Sequence, residues 1–469
     1  YDYEDLYAAK KTYGQDINTS LGNAADPIDA DQKLQEDALM SYVASVNYSY
    51  DDKYYASFSF RRDGSSRLSP DTRWGNFWSL SASWRLSQER FMQPLKSVLS
   101  DLKLRASYGV NGNLPSSYYG YQSTYTTGAF YSGKPSPWES TLGNEELTWE
   151  KNYALNLGLD IGLFSRVNVS LDWYTRTTKD LLMSKQLNSI SGFSSLLTNV
   201  GQMRNTGVEL EVRSNNIKTK DFSWTTAFNL SHNKNKILKL ADLPWFVDGR
   251  YVRKEGYPFN TIYLREYAGV DPETGSALYY DNQQDENGNY TKNKVTDPGQ
   301  ASPIPLKDIT PTISGGFMNT FNYKFIDLSF NLSYSFGGYS YDNASYILQD
   351  DGYSVISNKS TEQRRRWQKP GDITDVPRFV YGNKKGGNYN SSRAIHSTDH
   401  IRLKSLILGL NAPKAWLQKL GIGNARIYFS GTNLLTWAAY DQYDPEMSGV
   451  VGFYTPPLKT YAFGLELKF

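Results

Sequence analysis

The sequence predicts an all-β protein, the larger part of an antiparallel transmembrane β-barrel, from three observations. Apolar and polar residues alternate strictly in segment after segment, ending with LKTYAFGLELKF at 458–469. Strand side chains alternate between faces. Tyr461, Phe463, Leu465, Leu467 and Phe469 therefore share one face, opposite Ala462, Gly464, Glu466 and Lys468. The second face is also unusual elsewhere, being Ser, Asn, Asp and Gly rather than Lys and Glu; such a face suits a wet, crowded lumen. Finally, aromatics make up 15% of the chain, with 37 Tyr and 11 Trp, enough for girdles at two membrane interfaces.

Composition narrows the classes further. Mean hydropathy is -0.58, and no run reaches the roughly 18 apolar residues of a membrane helix. A hydropathy scan alone would read this chain as water-soluble. Barrel strands defeat such scans, because each dilutes its lipid-facing residues with lumen-facing ones. Cysteine is absent, which excludes a disulfide framework, thiolate metal sites and Cys nucleophiles. A net charge of +2 implies no polyelectrolyte partner, so nucleic acid is not expected. YDYEDLYAAKK at the start has no charged n-region followed by an apolar h-region.

Taken in order, the alternation marks about fifteen strands. They lie near 40–50, 53–62, 76–87, 101–110, 149–161, 165–176, 202–214, 221–233, 258–268, 276–282, 310–322, 325–336, 400–411, 424–437 and 458–469. The segment 325–336 is typical: Ile326, Leu328, Phe330, Leu332, Tyr334 and Phe336 oppose Asp327, Ser329, Asn331, Ser333 and Ser335. Connections alternate short and long. Asp51-Asp52, 163–165, 215–220, 271–275 and Tyr323-Lys324 are short; 111–148, 177–201, 234–257, 283–309, 337–399 and 438–457 are long. Bacterial barrels have short periplasmic turns and long extracellular loops. Of the two longer periplasmic connections, 88–100 and 412–423, the second contains KAWLQKLGI, which could form a helical turn. A loop as long as 337–399 is functional or disordered more often than passive.

Parity extends this reading. With Phe469 at the periplasm, the strand at 40–50 also runs inward from outside. Residues 1–39 are then expected in an extracellular loop, and 40–469 as the C-terminal portion of the barrel. Single-chain bacterial barrels have even strand numbers, so an odd count predicts further strands outside this chain.

Several segments together resemble the SusC/RagA-like TonB-dependent outer-membrane transporters of Bacteroidetes. They are the stretch 41–87, DLKLRASYGVNGN (101–113), NVGQMRNTGVELEV (199–212), RRWQKPGDITDVPR (365–378), HIRLKSLILGLNAP (400–413), ARIYFSGTNLLTW (425–437), YDPE (443–446) and TYAFGLELKF (460–469). The resemblance covers nearly the whole chain from about residue 40 and implies a barrel of about 22 strands with an N-terminal plug. The plug is expected to be absent from this chain. The resemblance implies TonB-dependent import of a large hydrophilic nutrient, an oligosaccharide or oligopeptide, under a SusD-like surface lipoprotein. TonB would act through the plug. The other expected partners are the N-terminal remainder of the barrel, outer-membrane lipid and lipopolysaccharide. A passive channel or adhesin-type barrel is the alternative, and a soluble β-rich carbohydrate-binding protein a third reading.

Candidate sites are few. Tyr461, Phe463, Leu465, Leu467 and Phe469 are expected to form a C-terminal barrel-assembly signal. RRRWQKPGD (364–372) could be a basic, aromatic ligand patch, but a structured loop or a contact surface for the lid lipoprotein is expected. DPETGSALYYDNQQDENGN (271–289) is oxygen-rich, but Gly288 follows Asp285 too soon for the twelve-residue calcium loop, so a solvated hairpin is expected. Tyr118, Tyr119, Tyr121, Tyr125, Phe130, Tyr131 and Trp138 could stack on sugars or serve as girdle and loop packing. His396 and His400 stand four apart without the glutamate of a zinc-protease helix. No phosphate loop, dinucleotide fingerprint or serine elbow appears. An enzyme is not expected, nor is a cofactor or metal.

Overall fold

The computed structural model describes residues 2–13, 24–132, 134–240, 243–354, 356–383, 390–413, 417 and 421–469. Its centre is one antiparallel sheet of thirteen strands in sequential order. In chain order these are β1 (Leu39–Tyr50), β2 (Tyr54–Ser65), β3 (Trp74–Arg85), β4 (Leu99–Asn113), β5 (Glu150–Leu163), β6 (Val167–Lys179), β7 (Gln202–Lys218), β8 (Phe222–Lys239), β9 (Ile313–Tyr323), β10 (Ile326–Phe336), β11 (His400–Asn411), β12 (Asn424–Ala438) and β13 (Thr460–Lys468). Within the described residues, β1 and β13 are edges, each paired on one side. Asp2–Tyr13 and Ala24–Glu36 pair with each other as a separate hairpin.

The sequence marks two further strands, 258–268 and 276–282, that do not join this sheet. Instead β8 pairs directly with β9. Thr261–Leu264, Tyr267–Val270 and Ala277–Tyr280 are short strands of small sheets above the barrel wall. The physical reason is visible in their burial. Thr261, Ile262 and Leu264 are all buried, so Thr261–Leu264 is covered on both faces. A barrel strand has one wet face and one lipid face. Two strands fewer leaves the parity unchanged. The helical turn expected in KAWLQKLGI falls largely on 414–416 and 418–420, outside the described residues.

The ladders sort the side chains into two faces. One apolar row runs Phe58, Leu80, Tyr108 and Leu155 across β2–β5. A second runs Leu104, Leu159, Leu171, Leu210 and Leu230 across β4–β8. Phe228, Phe317 and Leu332 continue the band, followed by Leu328, Leu408, Phe429 and Phe463. Many of these side chains are exposed, Phe463 at 81%. Each would cost about 1.5–3 kcal/mol left in water rather than hydrocarbon, and a continuous band of them has its natural solvent in a bilayer.

The two ends of the wall differ. One end carries tight turns: Asp51 and Asp52 both have positive φ (50° and 51°), the geometry that follows the right-handed strand twist. The other end carries the longest excursions, 114–149, 180–201, 240–312, 337–399 and 439–459, and by the barrel rule it is extracellular. Stacked aromatics mark both interfaces, Tyr50–Tyr54–Trp84 at the short-turn end and Tyr42–Trp74 at the other.

Candidate functional site: the lumen wall and its extracellular rim

The inner face is polar and extensively cross-linked. Ser57, Ser81, Ser107 and Asn156 form one row across β2–β5, with Ser57 and Ser81 hydroxyls 2.5 Å apart. Nearer the periplasmic end, Arg105 on β4 donates through Nε to Asp160 (2.8 Å) and through Nη2 to Asp172 (2.9 Å) and Ser170 (3.1 Å). The reach from β4 to β6 crosses Gly158 on β5. A Cβ there would lie 2.5 Å from the guanidinium carbon. The same device recurs on β10–β12. Arg426 donates to both oxygens of Asp327 (3.1 and 2.7 Å) beside Asn411. It does so over Gly409, whose Cβ would meet Asp327 at 2.5 Å. Glycine in the middle strand lets one ion pair staple three strands. A concavity of about 510 Å³ opens on this wall beside Arg85, Asp101, Lys103, Asp160 and Arg213. The surface offers water and hydrogen bonds to a passing hydrophilic molecule.

At the rim the chain builds a folded lobe. A four-stranded sheet combines Trp245–Asp248, Tyr251–Lys254, Thr261–Leu264 and Ile304–Asp308. Tyr339–Asp342 pairs antiparallel with Ile395–Ser397 and parallel with Gly449–Val451. Ile262, Leu264, Tyr341 and Ala394 form a shared core, which joins the two longest excursions. Asp351, fully buried, receives Arg393 Nη1 at 2.6 Å and Gln363 Nε2 at 2.9 Å.

The resembling motifs occupy structural posts here. YDPE closes onto HIRLK: Arg402, 3% exposed, donates to Asp444 at 2.7 Å and Glu446 at 3.1 Å. Lys404 reaches Glu446 at 2.6 Å. Trp367 of RRRWQKPGD donates its indole N–H to the Pro272 carbonyl (2.8 Å). Its ring lies over Gly275, which has φ +69° and room for no Cβ (2.4 Å to the ring). The motif is thus docked on the DPETG turn, with Arg364, Arg365 and Arg366 exposed.

The other candidates separate clearly. Within 271–289, Asp271 and Asp285 bond to nearby backbone N–H groups and Asp281 to Thr291 and Asn293. The Asn289 N–H, first among these contacts, holds the Asp285 carboxyl below the usual carboxylate range. Among the described residues no three acidic or histidine side chains converge as a metal site. In the tyrosine-rich loop, Arg67 lies over Tyr118 (4.1 Å) and Tyr119 accepts from Glu36 N–H. The side chains of Phe130 and Tyr131 lie outside the described residues. Tyr461, Phe463, Leu465 and Leu467 all project from the outer face of β13, and Phe469 follows it, exposed.

His396 and His400 do not converge. His400 Nδ1 is 2.8 Å from the Thr398 carbonyl. His396 stacks flat on Tyr440 (3.7 Å, 2°), and its Nε2 has no partner among the described residues. Burial pushes the His396 pKa down, against the pull of Asp342. The folded state therefore takes up a proton less readily than the unfolded segment, whose imidazole has an ordinary pKa of about 6.5. Stability present above that pH is lost as pH falls below it, by up to about 1.4 kcal/mol per unit. The free energy of opening at 395–397, taken from hydrogen exchange corrected for the intrinsic rate at each pH, should fall between pH 7.5 and 5.5, and His396→Phe should abolish the fall.

The family described as TonB dependent receptor-like, beta-barrel matches residues 1–355. The chain belongs to that family. It is 33% identical to TonB-dependent receptor P3 of Formosa agariphila, over 93% of this chain and 46% of the relative. It is 31% identical to TonB-dependent receptor SusC of Bacteroides thetaiotaomicron, over 94% of this chain and 45% of the relative. Among solved structures, the RagAB peptide transporter superposes with a TM-score of 0.89 at 30% identity, over 100% of this chain and 52% of its own. This TonB-dependent receptor chain thus spans about half the length of the curated relatives it matches. These relatives are named as receptors and transporters rather than enzymes. With the apolar band, the match places the chain in the outer membrane; no described helix is long and apolar enough to cross one.

The three-strand ion pairs and the Arg402 clasp were not legible in the sequence. Nothing in the spacing of Arg105, Asp160 and Asp172 marks them as partners. Only the strand register brings them together.

Proposed function

We propose that this chain forms one wall of an energised importer that brings a large hydrophilic oligomer, an oligopeptide or oligosaccharide, into the periplasm. The observation that carries the reading is the division of the faces: an apolar outer band against an inner wall of serine, asparagine and ion-paired arginine. Similarity to the RagAB peptide transporter supports import. Open strand edges are costly in hydrocarbon, so β1 and β13 need further strands to complete the barrel. In this proposal a SusD-like lipoprotein docks on the extracellular lobe, with 337–399 and 111–148 as contact surface. TonB pulls on a plug outside the residues of this chain, and Tyr461, Phe463, Leu465, Leu467 and Phe469 serve as the barrel-assembly signal.

Uptake of labelled oligopeptides and oligosaccharides by cells carrying the full-length polypeptide tests this. Import of one class should fall to background when TonB is deleted. Import unaffected by TonB would establish the passive channel instead.

A further inference from the structure

The outer face carries a one-sided set of charges. The thirteen strands hold nine carboxylates: Asp63, Asp101, Glu150, Asp160, Asp172, Glu209, Glu211, Asp327 and Glu466. The ladders turn every one of them inward. Residues that the ladders place outward include cations instead. Apart from Arg62 on β2, these are gathered at the extracellular ends of β5–β8. One row reads Lys151, Lys179, Gln202, Lys239; the next reads Tyr153, Thr177, Arg204, Lys236; Lys234 follows beside Thr206. Six cations thus occupy three strand spacings, about 14 Å, by a height of about 13 Å.

Their neighbours hold them against the wall. Lys179 Nζ lies over the Tyr153 ring at 4.8 Å. Arg204 Nε donates to Thr177 Oγ1 at 3.1 Å. Lys151 has Asp180 at 4.0 Å. Among the described residues, Lys234, Lys236 and Lys239 form no ion pair. Directly below lie Leu155, Leu157 and Trp173 of the apolar band. Simple snorkelling of long side chains would put cations at both interfaces. On the strands themselves the periplasmic end of the same face instead presents Leu163, Val167, Ile217 and Phe222, and cations such as Arg166 and Lys324 sit singly in the turns beyond.

We propose that this patch binds the phosphate groups of an anionic lipid headgroup in the extracellular leaflet. The acyl chains would lie along the apolar band below, and the cations would meet the phosphates at headgroup height. The inference rests on placement in the outer membrane and not on the transport reading.

The test places the full-length polypeptide in nanodiscs whose only phosphate-bearing lipid is lipid A, then counts retained lipid by native mass spectrometry. Replacing Lys151, Lys179, Arg204 and Lys236 together with Gln should lower lipid A retention at least about tenfold. The charge-keeping set Lys151→Arg, Lys179→Arg and Lys236→Arg should retain it, which controls for folding. The pair Arg166→Gln and Lys324→Gln, at periplasmic turns, should change nothing. Dephosphorylated lipid A should be retained poorly by the parent protein. Equal retention of the two lipid A forms, or no loss in the glutamine variant, would overturn the proposal. So would displacement of lipid A by equimolar inorganic phosphate, which would mark a simple anion site.

Discussion

Arg402→Ala is expected to release the extracellular segment 439–457 from the barrel rim. The guanidinium is buried and holds Asp444 and Glu446 together, with His400 Nε2 3.8 Å from Glu446. Removing it leaves Asp444, almost fully buried, without its cation, while Glu446 keeps only Lys404. Breaking a buried ion pair from one side costs about 3–5 kcal/mol. The loss should be local, because the thirteen-strand sheet has its own ladders. Limited proteolysis should therefore cut within 439–457 in the variant while the barrel keeps its heat-modifiable mobility. Arg402→Lys should rescue only in part, since an ammonium cannot span both acids in the planar fork. Unchanged protease resistance in Arg402→Ala would refute the clasp.

The second expected result concerns the two faces of one strand. Phe463 lies at mid-height on the outer face of β13, beside Phe429 (ring centroids 5.3 Å). A lysine there, at the bilayer midplane, should cost about 2–4 kcal/mol. Ser430, in register with Ala462, faces the lumen one position along β12 from Phe429. Ser430→Lys should be nearly neutral, because its ammonium stays in water. Folding titrations into lipid vesicles would read the difference directly. Equal costs at the two positions would contradict the assignment of faces, and with it the lumen.

The long alternating segments were legible because a barrel strand carries its environment in its own sequence. One residue meets lipid and the next meets water, so a period of two is imposed locally. That holds for Ile326–Phe336 and Thr460–Lys468, both close to their expected bounds. It fails for Thr261–Leu264, which is buried on both faces, and for Ala277–Tyr280, whose alternation packs Ala277 and Tyr279 against Ala301 inside the lobe rather than against lipid. Their β-propensity was readable, but their sheet was not.

The sites divide in the same way. The outward position of Tyr461, Phe463, Leu465 and Leu467 follows from alternation alone. The docking of Trp367 over Gly275 does not, because the two are 92 positions apart. The cationic patch of β5–β8 is likewise invisible in the linear sequence. Lys151 and Lys239 are far apart there and reach one row only through the registers of three ladders.

By itself, then, the sequence determined the membrane class, the faces of the main strands and the end of the wall that bears the long loops. All three are set by local period and turn chemistry. Tertiary structure alone decided which loop strands leave the barrel and which charges pair across three strands. It also decided which cations share the outer rim, since these depend on register and burial between residues that the chain keeps far apart.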